Sequence, residues 1–282
     1  MQQVRIFLTI CTAIFLLSGC EYQKLLKKGS NEDKLEGAMA YYNKGDYNRA
    51  QPLLEDLIGA FRERQKAEQV YFYYAFTFYN MNDHLLAGHH FKRFSETYRS
   101  SKYREEATFM FAKCSYHNTL PYKLDQTSTK KAIEQIQLFV NQYSESEFIP
   151  ECNELIDELR AKLHRKAYEG AMMYYNMADY RSAVISFKNA VLDFPDIPEL
   201  AEINYLIVES SLKYAEKSIR KVQEERYSNT VAECKDYYAG NSKGTDYYLK
   251  VQRIEEIALK RLEELKTKVP TQEEKTLETS MK

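Results

Sequence analysis

Apolar positions recur along this chain in one register. Ala50, Ala87, Ala132 and Ala183 each open a set. Four residues on stand Leu54, Phe91, Ile136 and Phe187; seven on, Leu57, Phe94, Phe139 and Ala190; eleven on, Phe61, Tyr98, Tyr143 and Phe194. These offsets trace one face of an α-helix, so each set predicts a helix buried along that face. Twelve residues before the alanine stand Ala38, Ala75 and Ala171, and nine before it Tyr41, Phe78 and Tyr174, which predicts a second helix ahead of each ladder. Short turns separate the two, such as Lys44-Gly45-Asp46-Tyr47 and Ala178-Asp179-Tyr180, where aspartate can cap the following helix. The third ladder departs from this pattern: Leu120 takes its small-residue position, and the stretch from His117 to Ser128, with Pro121, reads as the longest loop. Pro52 falls inside the first ladder helix and should kink or delay it. A drifted fifth set runs through Tyr227, Val231, Cys234 and Tyr238, and Val251, Ile254, Ala258, Leu262 and Leu265 keep helical spacing beyond it.

A small residue facing another lets two antiparallel helices approach closely, while large residues at the later ladder positions fill the space beside them. This resembles the packing of a tetratricopeptide (TPR) helix pair, although every spacing exceeds the 34 residues of an ideal repeat, so the loops must absorb the excess. The expected fold is all-α: a TPR-like helical-hairpin solenoid over residues 34–265. Its repeats fall at about 34–62, 67–99, 103–144, 151–195 and 198–239, and a closing helix covers 246–265. The charged, Thr-containing residues 266–282 read as a disordered tail, and 20–33 as a tether.

At the N-terminus, Arg5 precedes an apolar run from Ile6 to Leu17 that is too short to span a bilayer and has the outline of a signal peptide, residues 1–19. Leu17-Ser18-Gly19-Cys20 resembles the bacterial lipobox. That resemblance implies cleavage before Cys20, a diacylglycerol on its sulfur, an acyl chain such as palmitate on its amine, and a tethered soluble domain. Glu21 and the following residues carry neither the Asp that commonly retains lipoproteins in the inner membrane nor an acidic export run, which favours the periplasmic face of the outer membrane.

Composition narrows the function. With 40 Lys and Arg against 41 Asp and Glu, the basic footprint of sequence-independent nucleic-acid binding is absent. A mean hydropathy of −0.60 is too polar for a multi-span membrane protein. Cys114, Cys152 and Cys234 are too few for a disulfide framework and sit among apolar neighbours, as buried inert thiols do. No two of His84, His89, His90, His117 and His164 stand at i, i+4, and no nucleophile elbow, phosphate loop or CxxC occurs. The chain is therefore expected to be non-catalytic, with no metal and no cofactor beyond the lipid on Cys20.

The densest feature is Tyr71-Phe72-Tyr73-Tyr74-Ala75-Phe76-Thr77-Phe78-Tyr79. Tyr71, Ala75 and Phe78 face the partner helix, whereas Phe72, Phe76 and Tyr79 form a second stripe. That stripe has two readings: packing against the neighbouring repeat, or, with Tyr73, a groove for an extended client peptide, since rings with polar tips offer contact area at low entropy cost.

Together the lipobox at Cys20, Phe91-Lys-Arg-Phe94-Ser-Glu-Thr-Tyr98, Ala178-Asp179-Tyr180-Arg181-Ser182-Ala183 and above all Asp125-Gln126-Thr127-Ser128-Thr129-Lys130-Lys131-Ala132 resemble the BamD family, the TPR lipoproteins of the β-barrel assembly machine. The resemblance implies a five-repeat scaffold that binds the periplasmic domains of BamA through its C-terminal half. It also implies reception of unfolded outer-membrane β-barrel proteins in the N-terminal half, beside other lipoproteins of that machine. Arg220, Lys221 and Arg226 are the implied BamA contacts. Another TPR lipoprotein scaffold, such as a pilus-assembly factor, is the alternative.

Overall fold

The hairpins are set by what ends one helix and starts the next. Gly45, Asn82 and Ala178 take positive φ values of 76°, 62° and 59° and reverse the chain. The residue after each, Asp46, Asp83 or Asp179, accepts the backbone N–H of Arg49 (3.3 Å), Leu86 (3.0 Å) or Ser182 (3.2 Å) and satisfies an otherwise orphaned helix donor. Ser30 and Asp33 form a capping box at the start of another helix.

The computed structural model describes residues 21–61, 63–240 and 244–267. Its helices are α1 (residues 21–28), α2 (Asn31–Asn43), α3 (Tyr47–Asp56), α4 (Arg64–Asn80), α5 (His84–Thr97), α6 (Arg104–His117), α7 (Thr127–Gln142), α8 (Ile149–Asn176), α9 (Tyr180–Asp193), α10 (Leu200–Glu216), α11 (Arg220–Gly240) and α12 (Asp246–Thr267). No strand occurs among the described residues. The chain divides into two compact units between Leu159 and Arg160. Unit 1 holds the hairpins α2/α3, α4/α5 and α6/α7; unit 2 holds the later part of α8 with α9, then α10/α11, with α12 packed on both α10 and α11. Each is an all-α stack of TPR-like hairpins. The ladder alanines and the residues four after them are fully buried, as are Ala38, Ala75 and Ala171.

Several boundaries differ from the sequence reading. The expected tether is folded from Glu21 onward: Tyr22, Leu25 and Leu26 of α1 pack on the first hairpin, and Tyr22 meets Tyr41 edge-on at 5.6 Å. Gly37 makes room for Leu25, since a Cβ there would lie 2.4 Å from its Cδ2. In the third hairpin Ala112, not Leu120, is the buried small residue; Leu120 is 42% exposed in the loop after α6. The face of α6 is chosen by α5, where Gly88 leaves space for Cys114 (3.2 Å from an ideal Cβ), so an inserted loop shifts the ladder without shifting the helix. The long interval before Ala183 is filled by the 28-residue α8 and not by a loop. Cys152, Leu155 and Leu159 of α8 join the core of unit 1, and its Ala171 joins a core of unit 2. Pro52 sits inside α3, which starts on register at Tyr47 but ends at Asp56, leaving Phe61 beyond it. The helix α12 runs to Thr267, so the loose tail does not begin at 266; residues 268–282, like 1–20 with Cys20 and the signal segment, lie outside the described residues.

Candidate interaction face

Four residues after each buried small residue, the first helix of a hairpin carries a tyrosine: Tyr42 after Ala38, Tyr79 after Ala75, Tyr116 after Ala112 and Tyr175 after Ala171. Each reaches the next hairpin's first helix. Asn80 Nδ2 donates to the Tyr42 hydroxyl at 3.1 Å, the Tyr79 hydroxyl meets His117 Nε2 at 3.4 Å, and the Tyr116 hydroxyl donates to Glu158 on α8. In unit 2 the Tyr175 hydroxyl donates to Glu209 Oε2 at 2.7 Å and is also contacted by the Lys213 ammonium, which lies 4.5 Å from the ring centroid. Burial raises the phenol pKa of Tyr42, to about 12, and of Tyr79 and Tyr175, and the hydrogen bond to Glu158, then burial, raises that of Tyr116, so the hydroxyls stay protonated.

In unit 1 the ladder is bordered by paired charges. Lys113 pairs with Glu151 at 2.6 Å beside Tyr79, and its pKa is raised because the hydrogen bond to Glu151 and the Tyr79 phenol outweigh burial. His84 and His117 stack at 4.2 Å with their planes 17° apart. The sequence spacing had kept these histidines apart; the α4/α5 and α6 packing joins them. Stacked rings do not converge on one ion, and no cluster of three metal-ligating side chains occurs among the described residues. In unit 2, Tyr205, Glu209 and Lys213 line one face of α10, which Lys217 continues at the C-cap; Tyr205 stacks on Tyr247 of α12 at 5.1 Å, and Lys217 lies 4.8 Å from the Tyr180 ring centroid.

The residues singled out for a client groove do not form one open surface. Phe72 is only 4% exposed and stacks on Tyr103 of the next hairpin at 4.5 Å, so it belongs to the core. Phe76 packs edge-on to Phe72 and Phe91 at 4.9 and 4.8 Å. Tyr73 leans on Tyr42 at 5.0 Å and Tyr79 on His84 at 5.1 Å, both half-buried. Of the basic trio, Arg220 and Lys221 are exposed, and Arg220 borders a cavity of about 330 Å³ with Glu216, Tyr227, Arg261 and Glu264. Arg226 is half-buried: it donates to Ser218 and lies 4.0 Å from the Tyr214 ring centroid, pinning the α10–α11 connection. The three cysteines are buried and free.

Gln126, the centre of the Asp-Gln-Thr stretch, is buried and clamps its loop. Its Nε2 donates to the carbonyls of Pro121 (2.9 Å), Leu124 (2.9 Å) and Asp125 (3.2 Å), while Oε1 accepts from Thr129 Oγ1 at 2.8 Å. In the sequence this stretch stands out only by resemblance, because Gln126 lies in the continuous polar run from Asp125 to Lys131 and nothing local singles it out as the buried member.

Among solved structures, the TPR domain of P58(IPK) is similar at a TM-score of 0.38 and 13% identity, over 88% of this chain and 69% of that one. A STAND-class signal-transduction ATPase with a TPR sensor from Pyrococcus horikoshii is similar at a TM-score of 0.28 and 17% identity, over 86% of this chain and 46% of that one. No curated protein matches the chain. The family model YfiO, described as an outer membrane lipoprotein, matches residues 28–231, most of the chain, reaching from unit 1 into unit 2. The chain belongs to the YfiO family of outer membrane lipoproteins.

Proposed function

We propose that the chain is a non-catalytic scaffold of the β-barrel assembly machine, anchored by lipid on Cys20 at the periplasmic face of the outer membrane. Unit 1 receives unfolded β-barrel clients and unit 2 docks the periplasmic domains of BamA. The observation that supports this reading most is membership of an outer membrane lipoprotein family across 28–231. The tyrosine faces of both units add to it, because half-buried rings with hydroxyl tips suit transient peptide contact. Arg220 and Lys221 remain the residues proposed to face BamA. Arg226 is proposed beside them, with one of its donors spent on Ser218. The test is a pull-down of the mature lipoprotein from detergent-solubilised membranes, with depletion in parallel. Co-purification of BamA and a general loss of outer-membrane barrels are expected. A defect confined to pili with no BamA recovered would transfer the chain to the alternative scaffold class.

A further inference from the structure

Each first helix of unit 1 ends on a two-residue unit: Tyr42-Asn43 on α2, Tyr79-Asn80 on α4 and Tyr116-His117 on α6. These are linked end to end, since the first tyrosine bonds the second unit's asparagine and the second tyrosine bonds the third unit's histidine. We propose that these units form a clamp that holds one extended, uncharged stretch of client polypeptide by its backbone, irrespective of sequence. This rests on the client-binding reading above and names the chemistry it would use.

Three observations carry it. A side-chain amide offers one acceptor and two donors; Asn80 spends one donor on Tyr42, so donor and acceptor remain to match a peptide unit, while Asn43 and His117 are exposed at either end. At the ladder Lys113 is neutralised by Glu151, and Glu158 accepts from Tyr116 while keeping its negative charge, so the complement of this face is a neutral backbone rather than an anion such as a terminal carboxylate. The repeat also mismatches strand alternation: α2, α4 and α6 pack chiefly on the intervening α3 and α5, so their ends lie at least a packed-helix spacing of about 8–10 Å apart. An extended chain returns to the same face about every 6.6 Å, so successive units do not follow a two-residue pattern.

The test uses the full mature chain and fluorescence anisotropy with three labelled probes: a strand peptide from an outer-membrane barrel, a permuted peptide of the same composition, and the strand peptide N-methylated at alternate amides. Native and permuted peptides should bind within about twofold, and N-methylation should cost about tenfold or more, several hydrogen bonds at roughly threefold or more each. Asn43→Ala should weaken both unmodified peptides about threefold, Asn43→Ala with His117→Ala about tenfold, and Asn43→Gln should restore the first loss. Unchanged melting temperatures would separate these effects from misfolding. If the wild type binds both peptides and the alanine variants bind as well, the clamp is wrong while client binding stands. If only the native order binds, the face reads sequence and the proposal fails. Binding of neither peptide by the wild type would overturn the client reading and the clamp together.

Discussion

Phe72 and Tyr103 stack at 4.5 Å with their planes 21° apart, tying the first helix of the second hairpin to the residue that precedes the first helix of the third. This contact places Phe72, the first residue of the stripe with Phe76 and Tyr79, in the core, because Phe72 also touches Phe91 and Phe94. Removing its ring leaves a cavity between hairpins that cannot collapse without shifting α6. Phe72→Ala should cost about 3–5 kcal/mol, read as a lowered urea midpoint. Tyr79→Phe, which loses one half-exposed hydrogen bond, should cost about 1 kcal/mol or less.

Ala178 sits at φ 59° between α8 and α9, where an L-residue with a Cβ is strained by about 1–2 kcal/mol. Ala178→Gly releases that strain and loses part of the gain to the greater freedom of glycine when unfolded, so a net stabilisation of up to about 1 kcal/mol is expected. Ala178→Val should destabilise. Paired thermal melts measure both.

Gln126→Leu keeps the buried volume near Thr129 but strips donors from three backbone carbonyls. A cost of about 1–3 kcal/mol is expected. Limited proteolysis should then cut within 119–125 well before global unfolding, with fragments identified by mass spectrometry. Cleavage no faster than in the wild type would show that the loop holds its shape without the clamp.

His90 lies among Tyr71, Tyr74 and Phe78, with Nδ1 3.2 Å from the Tyr71 hydroxyl. Burial, then the nearby His89 and Arg93, hold its pKa below the ordinary histidine value; burial, then His84 and Lys113, do the same for His117 against the smaller opposing pull of Glu151. A depressed folded pKa means the unfolded chain takes the proton first. Stability is therefore full above about pH 6.5, falls as the pH drops below it, and levels off once the folded pKa is passed. Melts from about pH 7.5 to 5.5 should show this fall, and His90→Gln with His117→Gln should flatten it.

Burial pushes the thiols of Cys114 and Cys234 up to about 12 and that of Cys152 up to about 11, the last helped by Glu151. Thiolate is the reactive form, so all three should resist a disulfide-exchange reagent at pH 8 in the folded protein and react together once urea unfolds it. Fast labelling of one thiol in native buffer would show that its surroundings open locally.

Much of this molecule is written in local pattern. The alanine ladders place buried faces on α3, α5, α7 and α9 because helix geometry converts spacing directly into a common side. Aspartates after Gly45 and Ala178 announce helix starts because a cap acts over three residues. What the chain could not announce is which face meets the next hairpin. Ala112 replaces Leu120 because α5 chooses the contact on α6. Leu25 folds down because Gly37 leaves it a place, Tyr22 because Tyr41 receives its ring, and His84 meets His117 because two hairpins bring them together. The tyrosines of the ladder were visible as residues, but their hydroxyls acquire partners only 34 to 42 positions away. Periodicity is a property of one helix and can be read along it, whereas the partner of a half-buried polar tip is set by packing between helices, which no single segment contains.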